Sequence, residues 1–384
     1  MKKIKDFDFH NKKVILRTNF DVPFDEKGKI FDDFRIRKSL PTIKYLLEKG
    51  AKVILISHLG RPSTGIKLSL EPVAKKLSEL LDQKVEFIKD CVGRQAQGAV
   101  NKMKLGNAIL LENLRFNSGE EDNNENFAKK LASLGDIYIN DAFSSCHRMH
   151  ASIVGIPQYL PKGAGLLLEE EIKILSSIVK KPKRPMILIL GGAKIETKIP
   201  CLLNFLKIAD HILVGGMIAP TIFYAKSLSL SAVDLEEDTK EQLSKIELTN
   251  SKLHLPIDAL VGLRHHDLDY LRQTAVGKIR KEEQMFDIGP ETVRIFSSII
   301  QEAKTIIWNG PLGYIEDERF AGGTLSIASA ILRSNAFSII GGGDTGAFSA
   351  VNNLRSKFSY ISTGGGSMLE FLSGKELPGI KALE

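Results

Sequence analysis

Phe337-Ser338-Ile339-Ile340 runs into Gly341-Gly342-Gly343-Asp344-Thr345-Gly346 and then Ala347-Phe348-Ser349-Ala350. The order reads as a buried strand, a glycine turn and the start of a helix. Gly341, Gly342 and Gly343 let the backbone turn sharply and leave no side chain in the way of a ligand. Asp344 and Thr345 sit where the helix begins, and free N–H groups there favour an anion such as phosphate. Asp344 also suits a hydrated magnesium ion on that phosphate. By itself the stretch is equally a plain tight turn of an α/β sheet. Other strands that end in the same way shift the balance.

Met186–Leu190 reads as a strand and meets Gly191-Gly192-Ala193-Lys194-Ile195-Glu196-Thr197-Lys198. Lys194 and Lys198 are four apart, one above the other on a helix face, and lysine is a point charge suited to phosphate oxygens. Strand Ile212–Val214 meets Gly215-Gly216-Met217, and strand Thr305–Trp308 meets Asn309-Gly310-Pro311-Leu312-Gly313-Tyr314-Ile315-Glu316. Tyr360-Ile361-Ser362-Thr363 ends in Gly364-Gly365-Gly366. Such small residues at successive strand ends outline a shallow, phosphate-lined cleft for a nucleotide. Gly341 to Gly346 formally matches G-x-G-x-x-G, but the acidic residue expected about 20 positions on is missing. No G-x-x-x-x-G-K-[ST] occurs, which excludes a P-loop hydrolase.

The front half alternates strands and helices, which implies a parallel sheet. Its strand ends are polar: Arg17-Thr18-Asn19-Phe20-Asp21-Val22-Pro23 after Val14–Leu16, Ser57-His58-Leu59-Gly60-Arg61-Pro62 after Val53–Ile56, Glu112-Asn113-Leu114-Arg115-Phe116 after Ala108–Leu111. Asn140-Asp141-Ala142-Phe143 and His147-Arg148-Met149-His150 follow Ile137–Ile139. Helices are expected over Arg35–Glu48, Glu71–Leu81 and Asn126–Leu134. Ligands of open α/β sheets bind beyond the carboxyl ends of the strands. Arg17, Arg35, Arg61, Arg115 and Arg148 with His58 and His147 would then share one crevice. So many cations repel each other unless an anion neutralises them. Arginine forks suit phosphate and carboxylate, so the expected ligand is small and carries both. The competing reading is that each arginine snorkels or pairs with a local acid.

Between the halves, a helix from Leu166 to Val179 stops at Lys180-Lys181-Pro182-Lys183-Arg184-Pro185, since proline breaks the pattern. It is the best domain boundary and a candidate hinge. The 384-residue length favours two domains, and 43% hydrophobic with 26% charged residues is ordinary for a soluble globular protein. No apolar run is long enough for a membrane span and the N-terminus lacks a signal-peptide core, so a cytoplasmic protein is expected. Cys91, Cys146 and Cys201 fit reduced thiols. The formal charge of +7 suits anionic partners, but no basic tract supports nucleic-acid binding.

With these blocks in place, the chain resembles phosphoglycerate kinase from about Lys5 to its end. The motifs are Arg17–Pro23, Ser57–Pro62, Leu111–Phe116, His147–His150, Gly191–Ile199, Asp287–Pro290, Trp308–Glu316, Gly341–Thr345 and Ser362–Gly366. The resemblance implies an α/β fold of two doubly wound parallel-sheet domains joined by a central hinge helix. Residues 1–165 would bind the glycerate, 166–182 form the linker helix and 183–370 bind the nucleotide. Residues 371–384 would return to the N-terminal domain. It implies transfer of the acyl phosphate of 1,3-bisphosphoglycerate to MgADP, giving ATP and 3-phosphoglycerate, by a monomer with no nucleic-acid or membrane partner.

Carried over by motif, Arg17, Asn19, Asp21, Arg35, His58, Arg61, Arg115 and Arg148 match the glycerate side. Gly191, Lys194, Lys198, Gly215, Gly341, Gly342, Gly343, Asp344 and Thr345 match the nucleotide phosphate side, with magnesium at Asp344. Asn309, Pro311 and Glu316 match the adenosine side. Arg35, Lys194, Gly342 and Gly365 match catalytic positions. The reacting group of the glycerate is a carboxylate, ionised at about pH 7, so no general base is required. Catalysis should be positioning plus neutralisation of charge on the moving phosphoryl group, with the domains closing to exclude water.

This chain departs from the family pattern in places. Asn19 and Asp21 stand where Asp and then Asn are usual, and Ser144-Ser145-Cys146 where Gly-Thr-Ala is usual. Met217 and Pro220 replace a common glycine and asparagine, and Tyr360 a frequent histidine. An alternative reading follows from these changes: a nucleotide-binding or surface-interacting relative with weakened catalysis, which would bind ADP but not 3-phosphoglycerate.

Overall fold

Strand Lys13–Arg17 is buried from Val14 onward and forms the middle of a six-stranded parallel sheet. The computed structural model describes residues 1–60, 67–228, 235–263 and 270–384. The sheet order is Val85–Ile88, Ala108–Leu111, Lys52–Ile56, Lys13–Arg17, Ile137–Asn140, Lys162–Ala164. Every pairing in it is parallel. The chain therefore builds outward on one side of Lys13–Arg17 and then returns to its other side. That reversal makes a switch point, where the strand ends of an open sheet leave a crevice.

A second six-stranded parallel sheet runs Tyr360–Ile361, Phe337–Gly341, Thr305–Asn309, Met186–Leu190, His211–Val214, Leu253–His254. Its switch point lies between Met186–Leu190 and Thr305–Asn309. The two expected parallel sheets are thus present. Not foreseen is a three-stranded antiparallel sheet of Leu271–Ala275, Asp258–Leu263 and Glu283–Ile288. Its first strand is polar and its last opens on a glutamate, which hides the alternation that marks a strand. Glu283 is fully buried yet well satisfied. Arg272 donates to it twice at 2.7 Å, Tyr270 once at 2.9 Å and the Arg280 N–H once at 2.8 Å. These donors, Arg272 foremost, lower its pKa to about 2 against the opposing effect of burial.

The chain divides into two compact units, Met1–Leu175 with Lys375–Glu384, and Ser176–Gly374. Helix Leu166–Lys180 runs across that division. Its start is held within the first unit. The Asp141 carboxylate accepts from Leu167 N at 2.9 Å and Leu168 N at 3.2 Å, and Thr42 Oγ1 accepts from Leu166 N at 3.1 Å. These bonds satisfy N–H groups that a helix start leaves without partners. The last residues pack on the first unit, where Gly379 N donates to Cys146 O at 2.8 Å and Leu377 and Leu383 are buried.

Some element ends shift from expectation. The first long helix is Phe34–Glu48, and the expected Asn126–Leu134 is Glu125–Ala132. It starts earlier because Asn124 caps it, accepting from Phe127 N at 3.1 Å. Glu71–Leu81, Val85–Ile88 and Ala108–Leu111 stand as expected. Cys91, Cys146 and Cys201 are buried thiols, none of them in a disulfide. Among the described residues, no helix is long and apolar enough to cross a membrane.

Candidate functional site

In the first unit the parallel strands deliver their polar ends to one edge. Arg17 is wholly buried. Its Nε donates to Ser152 Oγ at 2.8 Å, one terminal nitrogen donates to Thr18 O, and the other lies 3.0 Å from His58 Nδ1. His58 is held well below the usual histidine range, first by burial and then by Arg17, Arg115, Arg148 and His150. Burial and Arg148 likewise lower His147 to about 4 and His150 to about 3. Arg17 thus touches His58, and the charges of Arg115 and Arg148 act on the same ring. The histidines differ from expectation: they are neutral at about pH 7 instead of adding charge.

Internal acids balance part of this charge. Arg115 Nε lies 3.0 Å from the Glu121 carboxylate. Arg35, a quarter exposed, donates to the Asp21 carbonyl and stands 3.7 Å from its carboxylate. The competing reading, pairing of arginines with local acids, therefore applies in part. Asp21 also accepts from Gly60 N at 2.9 Å, and the Gly60 carbonyl accepts from Arg115. Arg35, Asp21, the Gly60 turn and Arg115 are thus linked into one chain of contacts. Arg61 lies outside the described residues.

Two departures from the family pattern touch each other. Asn19, almost fully buried, donates from its amide to Ser144 Oγ, and its Oδ1 accepts from Asp21 N at 3.0 Å. The amide at position 19 is therefore used to hold the loop, while the Asp21 carboxylate is the more exposed of the pair, at 40%. Sequence reasoning overlooked Glu120 and Ser152. Glu120 is fully buried and accepts from Ser152 Oγ at 2.6 Å. The only trace in the sequence is an acidic pair, Glu120-Glu121, soon after a strand-end arginine.

In the second unit the glycine turns pack on one another. Gly191 N donates to Asn309 O at 3.0 Å, Gly192 N to Pro311 O at 2.6 Å, and Gly216 N to Leu312 O at 2.9 Å. A Cβ at Gly191 would stand 2.0 Å from Pro311 O, one at Gly310 2.1 Å from Gly191 O, and one at Gly365 2.7 Å from Gly342 Cα. At Gly215 it would collide with Leu312, and at Gly341 with Met368. Gly310 and Gly342 also have φ of +90° and +109°, which other residues rarely adopt. The sequence pattern implies glycines that clear space for a ligand. Most of them are instead required by the contact of turn with turn. Gly343 alone in the triple has open space around it.

Helix Gly343–Val351 starts at that open edge, with Asp344 exposed and Thr345 buried. Thr345 Oγ1 accepts from Gly310 N at 2.7 Å, tying the helix start to the neighbouring turn. Lys194 is exposed and precedes helix Ile195–Ile208 as its cap, so it is not stacked on a helix face with Lys198. Lys198 is buried and donates to Gly191 O. Burial lowers its pKa to about 8, against the pull of Asp344. Asn309 is buried, with its amide 3.4 Å from Gly365 O, and Glu316 is exposed. Pro220 falls within the first turn of helix Ile218–Ala225, where a missing N–H costs nothing. Among the described residues, no group of three or more His, Cys, Asp or Glu could hold a metal by itself.

Comparison with known proteins is consistent along the chain. A family model described as phosphoglycerate kinase matches residues 4–375. A phosphoglycerate kinase of Dictyoglomus turgidum is 46% identical over 388 residues, covering 99% of this chain and 98% of that protein. One from Clostridium botulinum is 45% identical over 397 residues, covering 100% and 98%. The solved phosphoglycerate kinase of Coxiella burnetii superposes with a TM-score of 0.81 at 39% identity. That of Pyrococcus horikoshii gives 0.87 at 36%, and both alignments cover 100% of this chain and 98% of the other.

Proposed function

The chain belongs to the phosphoglycerate kinase family, and we propose how its residues divide that family's work between two receptors. The reaction is phosphoryl transfer between 1,3-bisphosphoglycerate and ADP, giving 3-phosphoglycerate and ATP, a step of glycolysis. The face of the first unit built from Arg35, Arg115, Arg148 and His58 takes the glycerate. Arg17 acts from behind, through His58. The observation that carries this assignment is the convergence of Arg17, His58, Arg115 and Arg148 at one sheet edge.

The second unit takes the nucleotide. Its phosphates meet the N–H groups at the start of helix Gly343–Val351, with Lys194 and Lys198 beside them. Asn309, Pro311 and Glu316 line the adenosine side. Magnesium fits as part of the nucleotide: one exposed carboxylate, Asp344, stands at the helix start, and this ion binds through one or two carboxylates plus substrate phosphates. Bound there, it would neutralise charge on the phosphate oxygens.

Transfer itself needs no proton removed, since the attacking or leaving carboxylate is ionised at about pH 7. Arg35 and Lys194 neutralise the moving phosphoryl group. The proposal includes closure of the two units about helix Leu166–Lys180, which brings the reacting oxygen and phosphorus into line and excludes water. We further propose that the protein works as a monomer. A coupled assay tests the reading: ATP is consumed only when 3-phosphoglycerate is present. ADP binding without any 3-phosphoglycerate binding or turnover would overturn it.

Lys198 adds a pH signature. Its amine loses its proton at about 8 in the free protein. Above that pH it must regain one to pair with phosphate, so ADP affinity should weaken by up to about tenfold per pH unit. Lys198→Arg stays charged and should flatten the dependence. Calorimetry at a series of pH values measures both. A wild-type affinity that does not change between about pH 7 and 10 would remove Lys198 from the site.

A further inference from the structure

Behind the glycerate face lies a buried acid that the mechanism above does not use. Glu120 has no exposed surface, and neither has Ser152 or Arg17. An ionisable group in that position costs stability unless it is anchored by specific bonds. Its anchors lead in one direction. The Glu120 carboxyl accepts from Ser152 N at 3.0 Å and from Ser152 Oγ at 2.6 Å. Ser152 Oγ in turn accepts from Arg17 Nε at 2.8 Å, and Tyr138 donates to Ser152 O at 2.6 Å. The far end of the same guanidinium stands 3.0 Å from His58 Nδ1.

The roles along this chain follow from the donor inventory. A guanidinium only donates, so His58 Nδ1 must offer its lone pair. The ring proton then sits on Nε2. Ser152 Oγ receives the Arg17 proton, so its own hydrogen goes to Glu120. Each bond fixes the direction of the next, and no member can turn without leaving a buried donor unmet.

We propose that Glu120 and Ser152 are positioning residues of the glycerate site: through Arg17 they hold the His58 ring with its proton on Nε2, so that it meets the substrate anion as a neutral hydrogen-bond donor. The proposal rests on the reading that this face takes the glycerate. The surroundings support neutrality. His58 faces Arg17, Arg115, Arg148 and His150, so a protonated ring would add charge to a group already strongly positive. Glu120 faces Arg17 and Arg115, and its carboxyl is 3.8 Å from His150 Nδ1. The arginines thus supply charge to the anion, and His58 supplies direction.

Nitrogen-15 spectra of the histidine rings test this on the unaltered protein, with His58 assigned by its absence in His58→Gln. From about pH 6 to 8 the expected pattern is a bare Nδ1 and a protonated Nε2. A proton on Nδ1, or a doubly protonated ring, would overturn the proposal whatever the variants do. Glu120→Gln and Ser152→Ala should each raise the KM for 3-phosphoglycerate by about tenfold and mix the two ring forms of His58, because one bond of the chain is lost. The KM for ATP and kcat should stay within about twofold. Ser152→Thr keeps the hydroxyl and should restore both readouts. Equal losses in both substrates' KM values and in kcat, or no change in the ring signals, would overturn it. Absence of turnover by the wild type would instead overturn the underlying reading, and the ring spectra separate the two failures.

Discussion

Arg35→Ala should lower kcat by at least about a hundredfold while the protein folds normally. Arg35 lies in the first turn of helix Phe34–Glu48, at the N-terminal end of the buried stripe of Ile36, Ser39, Thr42, Ile43 and Leu46. Its own side chain is a quarter exposed, and the Asp21 carboxylate beside it is 40% exposed. Such a solvent-screened pair contributes little to stability, so the unfolding transition should move by no more than about 1 kcal/mol. The rate is another matter. A cation that meets the transferring phosphoryl group stabilises charge spread over its oxygens, a contribution of about 10³–10⁵ in rate where it is the main one. ADP affinity should not change, because the nucleotide is assigned to the other unit. Arg35→Lys should recover only part of the loss, since an ammonium keeps the charge but not the planar fork. Steady-state kinetics with both substrates, beside a denaturation curve, decides the matter. Near-normal turnover in Arg35→Ala would remove the residue from the transfer step.

Arg35 also illustrates what the sequence could and could not carry. A parallel sheet places every strand end on one edge, so reading Arg17, His58, Arg115 and Arg148 as strand ends was enough to bring them together. The same logic brought the glycine turns together. Depth was not legible. Arg17 is wholly buried because Ser152 and Thr18 take its donors, and Ser152 stands 135 positions away. His58 is held neutral first by its burial and then by cationic neighbours from three other strand ends. Neither fact leaves a local pattern. The antiparallel sheet escaped for a similar reason: Glu283 is acceptable on a buried strand only through Arg272, Tyr270 and Arg280, which no period of two reveals. The contact of Asn19 with Ser144 joins two departures that look unrelated along the chain.

The glycines lend themselves to the sharpest test, because geometry separates those needed by the fold from those needed by a ligand. Gly310→Ala should reduce ADP affinity by at least about a hundredfold and leave 3-phosphoglycerate binding in place. Its φ of +90° is unfavourable for alanine by about 1–3 kcal/mol. The new methyl would also stand 2.1 Å from Gly191 O and 2.4 Å from Gly191 C, which are backbone atoms and cannot swing aside. Something in the turn must move. Gly310 N donates to Thr345 Oγ1, Gly310 O accepts from Trp308 Nε1 at 2.8 Å, and Gly191 O accepts from Lys198. Displacing this turn therefore disturbs the helix start at Thr345 and the lysine together, and both are assigned to the phosphates. Gly343→Ala is the control. It has open space around it and is the first residue of helix Gly343–Val351, so alanine there should leave stability unchanged to within about 1 kcal/mol. A loss of ADP affinity in Gly343→Ala without loss of stability would mean that the phosphates approach through that open space. If Gly310→Ala binds ADP normally, or loses both ligands equally, the second unit is not the separate nucleotide receptor proposed for it.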